Sequence, residues 1–116
     1  MRDQQILILE SSQPDVSGDI TLFRRISDAE SCLEAIDVRA DAFFGFTLDG
    51  KRLALSADGN TVHIGLADDS KDYSQNVRKL LEEYVSVIVE RKKIGLMNVP
   101  MMTLSELADE VGYYEG

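Results

Sequence analysis

The chain is poor in cysteine, in histidine and in positive charge. Cys32 is its one cysteine, so no intrachain disulfide can form, which fits a reducing compartment. His63 is its one histidine, and no Gly-rich phosphate loop, nucleophile elbow or cluster with metal-ligand spacing accompanies it. Paired carboxylates can do acid–base work, but each acidic cluster here also has a capping or surface explanation. The expectation is a protein that is not an enzyme and holds no cofactor or metal. Bases are the scarcer charge: 12 Lys and Arg stand against 21 Asp and Glu, a net charge of −9. Phosphate binding needs clustered Lys and Arg, so nucleic acid is not an expected partner. A basic protein is, because the same charge speeds its approach. No stretch nears the roughly 18–20 apolar residues of a membrane span. The apolar run Ile6-Leu7-Ile8-Leu9 is too short for a signal core and sits behind Asp3. The chain therefore reads as cytoplasmic, with no membrane partner.

What remains is material for a globular fold. At 116 residues the chain suits one domain, 1–116, with an ordinary hydrophobic share of 44%. The organising stretch is Phe43 to Ala67, which alternates with a period of two. Phe44, Phe46 and Leu48 share one side of a first strand, Leu53, Leu55 and Ala57 of a second, Val62, Ile64 and Leu66 of a third. Asp49-Gly50 and Asp58-Gly59-Asn60 supply the turns, where Gly and Asn tolerate positive φ. These three apolar sets are expected to form one core floor. The opposite face then carries Phe43, Gly45, Thr47, Arg52, Ala54, Ser56, Thr61, His63 and Gly65. It is small and nearly uncharged, either covered by the N-terminal segment or open to another chain.

Upstream, Gln4 to Glu10 reads as a strand covered on both sides or set at a subunit contact, and Ile20 to Ile26 as a second strand. Ser27-Asp28-Ala29-Glu30 has the form of a capping box. Ala29, Cys32, Leu33 and Ile36 follow at helical spacing, which makes Cys32 a core thiol. Asp37 to Ala42 reads as a polar connection. Downstream, Asp68, Asp69 and Asp72 gather where a long helix, roughly Ser70 to Lys92, should begin. They fail the spacing of an EF-hand loop. Tyr73, Val77, Leu80, Leu81, Tyr84, Val85, Ile88 and Val89 form its apolar stripe. Residues 94–102 form an apolar, Met-rich linker that reads as core filler. Thr103-Leu104-Ser105-Glu106 is a second capping box, opening a short helix to Val111 with Gly112 after it. Its inner face is Leu104, Leu107, Ala108 and Val111. TLSELADEVG resembles the opening of a helix-turn-helix, but no recognition helix follows the turn. The expected class is α+β: an antiparallel sheet made of the central meander and one or two N-terminal strands, covered by a long helix and two short ones.

Two acidic groups are the candidate protein-binding residues. One is Asp68, Asp69 and Asp72. The other is Glu106, Asp109 and Glu110 with Tyr113 and Tyr114, since Tyr suits interface hot spots. A capped helix (SDAESCLEAI), a DG-turned meander (FTLDGKRLALSADGNTVHIGL) and a long helix give a layout that resembles the small acidic immunity proteins bacteria make against their own toxins. The resemblance implies a stoichiometric inhibitor that occludes a toxin's active site, and a basic, nuclease-type toxin would complement the net charge of −9. The alternatives are a structural or regulatory adaptor, or a homodimeric subunit using the small-residue face or the Gln4–Glu10 strand. A small-molecule binder using the Met-rich segment ranks third.

Overall fold

The structure, a computed structural model, describes residues 5–11, 18–40, 42–67, 71–92 and 102–114, without the side chains of 88–92. Its elements run β1 (Ile6–Glu10), β2 (Asp19–Phe23), α1 (Ile26–Cys32), α2 (Ala35–Arg39), β3 (Phe43–Thr47), β4 (Arg52–Asp58), β5 (Thr61–Leu66), α3 (Ser74–Lys92) and α4 (Leu104–Val111). The strands form one antiparallel sheet in the order β2-β1-β3-β4-β5. The α+β class is as expected. The coverage is richer than expected, because helices pack on both faces.

β1 explains why. Its four consecutive apolar residues are all buried, and successive side chains of a strand point to opposite faces. Leu7 and Leu9 join Ile20, Leu22, Phe46 and Leu48 under α3 and α4. Ile6 and Ile8 join Phe23, Leu53, Val62 and Ile64 under α1 and α2. β1 lies between β2 and β3, so it is an interior strand and offers no free edge.

The expected single floor is corrected here. Gly45 pairs with Leu53 and Phe46 with Arg52, so the apolar sets of β3 and β4 face opposite ways. Alternation fixes which residues of one strand share a face. The phase between two strands is set by the loop, which closes with the Thr47 N–H donating to the Lys51 carbonyl at 2.8 Å. The proposed small-residue face splits accordingly. Gly45 and Thr47 are buried on the α1–α2 side. Ala54, Ser56, Thr61, His63 and Gly65 lie exposed on the other side, beyond the reach of α3 and α4.

α1 touches both β2 and β5, the two outermost strands. On the other side of the sheet α3 and α4 cover residues of β1, β2 and β3, while the residues of β4 and β5 named above are exposed.

The helix expected from Ser27 is also corrected. It starts at Ile26, after Arg25, with no side-chain cap. The Glu30 carboxylate reaches across to accept the Ile64 N–H of β5 at 2.8 Å instead of capping its own helix. The helix breaks at Leu33, and 35–39 is helical rather than a connection. Cys32 is therefore an exposed free thiol and Ile36 is 69% exposed, neither of them core. α3 buries Val77, Leu80, Leu81 and Val85, while Tyr84 and Val87 on its flank are exposed. The expected linker falls mostly outside the described residues; its last residue, Met102, packs against the α3–α4 core.

Candidate interaction surface

α4 is a locally specified helix. The Thr103 hydroxyl accepts the Glu106 N–H at 3.1 Å, and the Glu106 carboxylate accepts the Thr103 N–H at 2.9 Å. Leu107 and Ala108 are buried in the core, and Leu104 and Val111 pack against it. Glu106, Asp109 and Glu110 are thereby turned to solvent on a fixed platform, and no base lies on the helix. The two contacts with Thr103, backbone first and hydroxyl second, hold the Glu106 carboxyl below its ordinary pKa.

That depression fixes a pH dependence. A carboxylate whose folded pKa lies below its unfolded value stabilises the fold above the unfolded pKa, and the support is lost as pH falls through the folded one. Acidification below the ordinary Glu range is thus expected to fray α4 first, seen as early loss of amide protection at Leu107. Thr103→Ala should remove the same cap at neutral pH, at a cost of about 0.5–2 kcal/mol in urea denaturation.

Gly112 leaves the helix with φ +81, a conformation that favours glycine. The next two residues form a strap across the edge of β2. Tyr113 makes a parallel bridge with Leu22, and the Tyr114 N–H donates to the Leu22 carbonyl at 2.7 Å. Tyr113 packs against the α3–α4 core, beneath the Arg24 guanidinium 4.5 Å from its ring centre, and its hydroxyl donates to Gln5 Oε1 at 3.2 Å. Burial and then the nearby Asp109 charge push the Tyr113 pKa up, against the pull of Arg24. Tyr114 turns to the opposite face, its ring 5.3 Å from that of Phe23. A hydrogen bond with Cys32 is the main cause of its raised pKa. The strap thus ties α4 on one face of the sheet to α1 on the other.

The second acidic group is not of the same kind. Asp72 Oδ1 accepts the Ser74 N–H at 2.9 Å, which with the Ser74 hydroxyl lowers its pKa. It starts α3, as its position in the sequence suggests. Asp68 and Asp69 lie outside the described residues. The Arg78 guanidinium donates to the Met102 carbonyl at 2.6 Å and pairs with Glu82 at 3.0 Å. This ties the start of α4 to the second turn of α3, so Asp72 and Glu106 lie at the same end of that layer.

One feature of the surface was invisible in the sequence. Glu10 and Asp19 are direct partners in the β1–β2 ladder, and both are exposed. Like charges directly opposite repel. Only the register brings them together, across a connection whose middle is undescribed. Among the described residues no three His, Cys, Asp or Glu side chains are grouped to hold a metal, and no helix is long and apolar enough to cross a membrane. No protein-family model, curated protein or solved structure matches the chain.

Proposed function

We propose that this is a non-catalytic binding protein whose acidic α4 face docks on a basic protein. In the most specific form of this reading it is a bacterial immunity protein, and the partner is a nuclease-type toxin whose active site it covers. The observation that carries the reading is α4 itself. Its inner face is locked into the core while the carboxylates of Asp109 and Glu110 stand exposed, Asp109 near Tyr113, with no side-chain hydrogen bond or ion pair to a described residue. Such a surface is pre-organised, so little side-chain and backbone order is lost on binding. Carboxylates on it would meet the bases with which a nuclease holds phosphates, and the net charge of −9 would steer the encounter. The exposed thiol of Cys32 suits a reducing cytoplasm.

The bare face of β4 and β5 favours a second reading, an adaptor or homodimer that buries Ala54, Ser56, His63 and Gly65. Light scattering on the protein from its native cells separates the two. A complex of unequal chains supports the inhibitor; a symmetric dimer supports the second reading. With the captured partner, Asp109→Lys with Glu110→Lys should slow association by about tenfold or more at low salt. The effect should fade as ionic strength rises, and dissociation should change little. Association rates that do not move would remove α4 from the interface.

A further inference from the structure

A strand at the edge of a sheet presents unpaired backbone groups, and a fold must blunt that edge or use it. The two edges of this sheet are handled differently. On β5 the Glu30 carboxylate occupies the outward Ile64 N–H, in the middle of the strand. On β2 the outward groups belong to Ile20 and Leu22, because the Leu22 carbonyl accepts from Tyr114 and alternate residues share a side. There the chain lays its own segment on the edge, parallel to β2, which shows that the edge accepts a strand.

The cover is short. Among the described residues the bridge between Leu22 and Tyr113 is a single one, and the strap leads on from it away from Ile20. The outward N–H and C=O of Ile20 have no partner among the described residues. At that same end stand Glu10 and Asp19, directly opposed and without an ion pair to a described residue. A cation placed there would replace one repulsion with two attractions. Backbone groups that call for a strand and carboxylates that call for a base thus lie side by side.

We propose that the β2 edge is a strand-acceptor site. An extended segment of a basic partner displaces the Gly112–Tyr114 strap, pairs with Ile20 and Leu22, and sets a Lys or Arg against Glu10 and Asp19. This rests on the reading of the protein as an acidic binder of basic proteins and adds the mode of binding. Main-chain pairing gives such a site its affinity, and the alternate side chains give it specificity. The strap is the closed state of the same site.

The test uses the full chain, a synthetic peptide Lys-Val-Lys-Val-Lys-Val, and amide chemical shifts as the readout. Tyr114→Pro removes the N–H that holds the strap on Leu22. Tyr113→Ala loosens it while keeping the amide. Apparent affinity scales with the fraction of molecules whose edge is open, so both variants should bind the peptide about tenfold more tightly than the parent. The shifts should centre on Ile20 and Leu22, and Asp19→Asn should weaken binding several-fold. Equal affinity in parent and variants, with shifts confined to the outer face of α4, would overturn the edge site and leave the acidic-binder reading standing. A peptide that binds nowhere on the protein overturns both. If the released variants dimerise without peptide and shift the same two amides, the occupant is a second copy, and the assignment to a basic partner fails.

Discussion

Phe46→Ala is expected to destabilise the protein by about 3–5 kcal/mol, a large part of the 5–15 kcal/mol that holds a typical domain. Phe46 is fully buried on β3, the central strand of the sheet. It faces the layer made by Leu7, Leu81 and Val85, and its ring lies 5.4 Å from that of Tyr73 at the start of α3. Truncation would leave a cavity where sheet and helix meet, and the close-packed surroundings can collapse into it only in part. Phe44 is the control. It is on the same face two residues away, but half-exposed, with the Arg52 guanidinium 5.8 Å from its ring centre. Phe44→Ala should cost distinctly less. Urea denaturation with an unchanged m-value checks both. Equal costs for the two would mean that α3 does not pack on β3 as described.

These two phenylalanines also show how far the sequence could be read. Alternation placed Phe44 and Phe46 on one side of their strand, and the structure agrees. It did not say which side Leu53 would take, because that depends on a loop closed by the Thr47–Lys51 pairing. The same limit hid the second core. Ile6 to Leu9 could be read as a strand covered twice, yet nothing local said that α1 and α2 would supply the second cover. The misread helix start has a similar cause. Ser27 and Glu30 have the right spacing for a capping box, but a cap is a local gain of about 1 kcal/mol. Here Glu30 instead satisfies an edge N–H on β5, 34 residues away. At Thr103 no tertiary partner among the described residues competes for Glu106, and the box forms as its sequence implies.

The candidate site was legible for the same reason. Glu106, Asp109, Glu110, Tyr113 and Tyr114 belong to one short stretch whose helix is fixed by its own cap and its own apolar stripe. The role of the tyrosines was not legible. Their places depend on the edge of β2, 91 positions away in the chain for the Tyr113–Leu22 bridge, and on an exposed Cys32 that helical periodicity had placed inside.

Gly50→Ala is expected to cost about 2–5 kcal/mol, and a turn assignment alone would understate it. Gly50 has φ +96. An L-residue in the left-handed region costs roughly 1–2 kcal/mol. A turn glycine in open space would cost no more than that, and Gly59 is such a case: φ is +60, and a Cβ there would meet nothing within 4 Å. At Gly50 the same atom would lie 2.5 Å from the Ser74 nitrogen and 2.7 Å from its Cα. Both are backbone atoms of the first residue of α3, so no side-chain rotation can relieve the clash. The loop and the helix must move apart, and overpacking of that kind typically adds 1–3 kcal/mol. Separation would also break the Tyr73 N–H bond to the Gly50 carbonyl, 2.8 Å long, which docks α3 on the β3–β4 turn. Two measurements isolate the close approach from the backbone conformation. Gly59→Ala should cost only about 1–2 kcal/mol, so the difference between the two variants reports the contact. Amide exchange at Tyr73 should quicken in Gly50→Ala and not in Gly59→Ala. Equal stabilities and equal exchange would show that the turn does not meet the helix, and the docking of α3 would then rest on Phe46 and its neighbours alone.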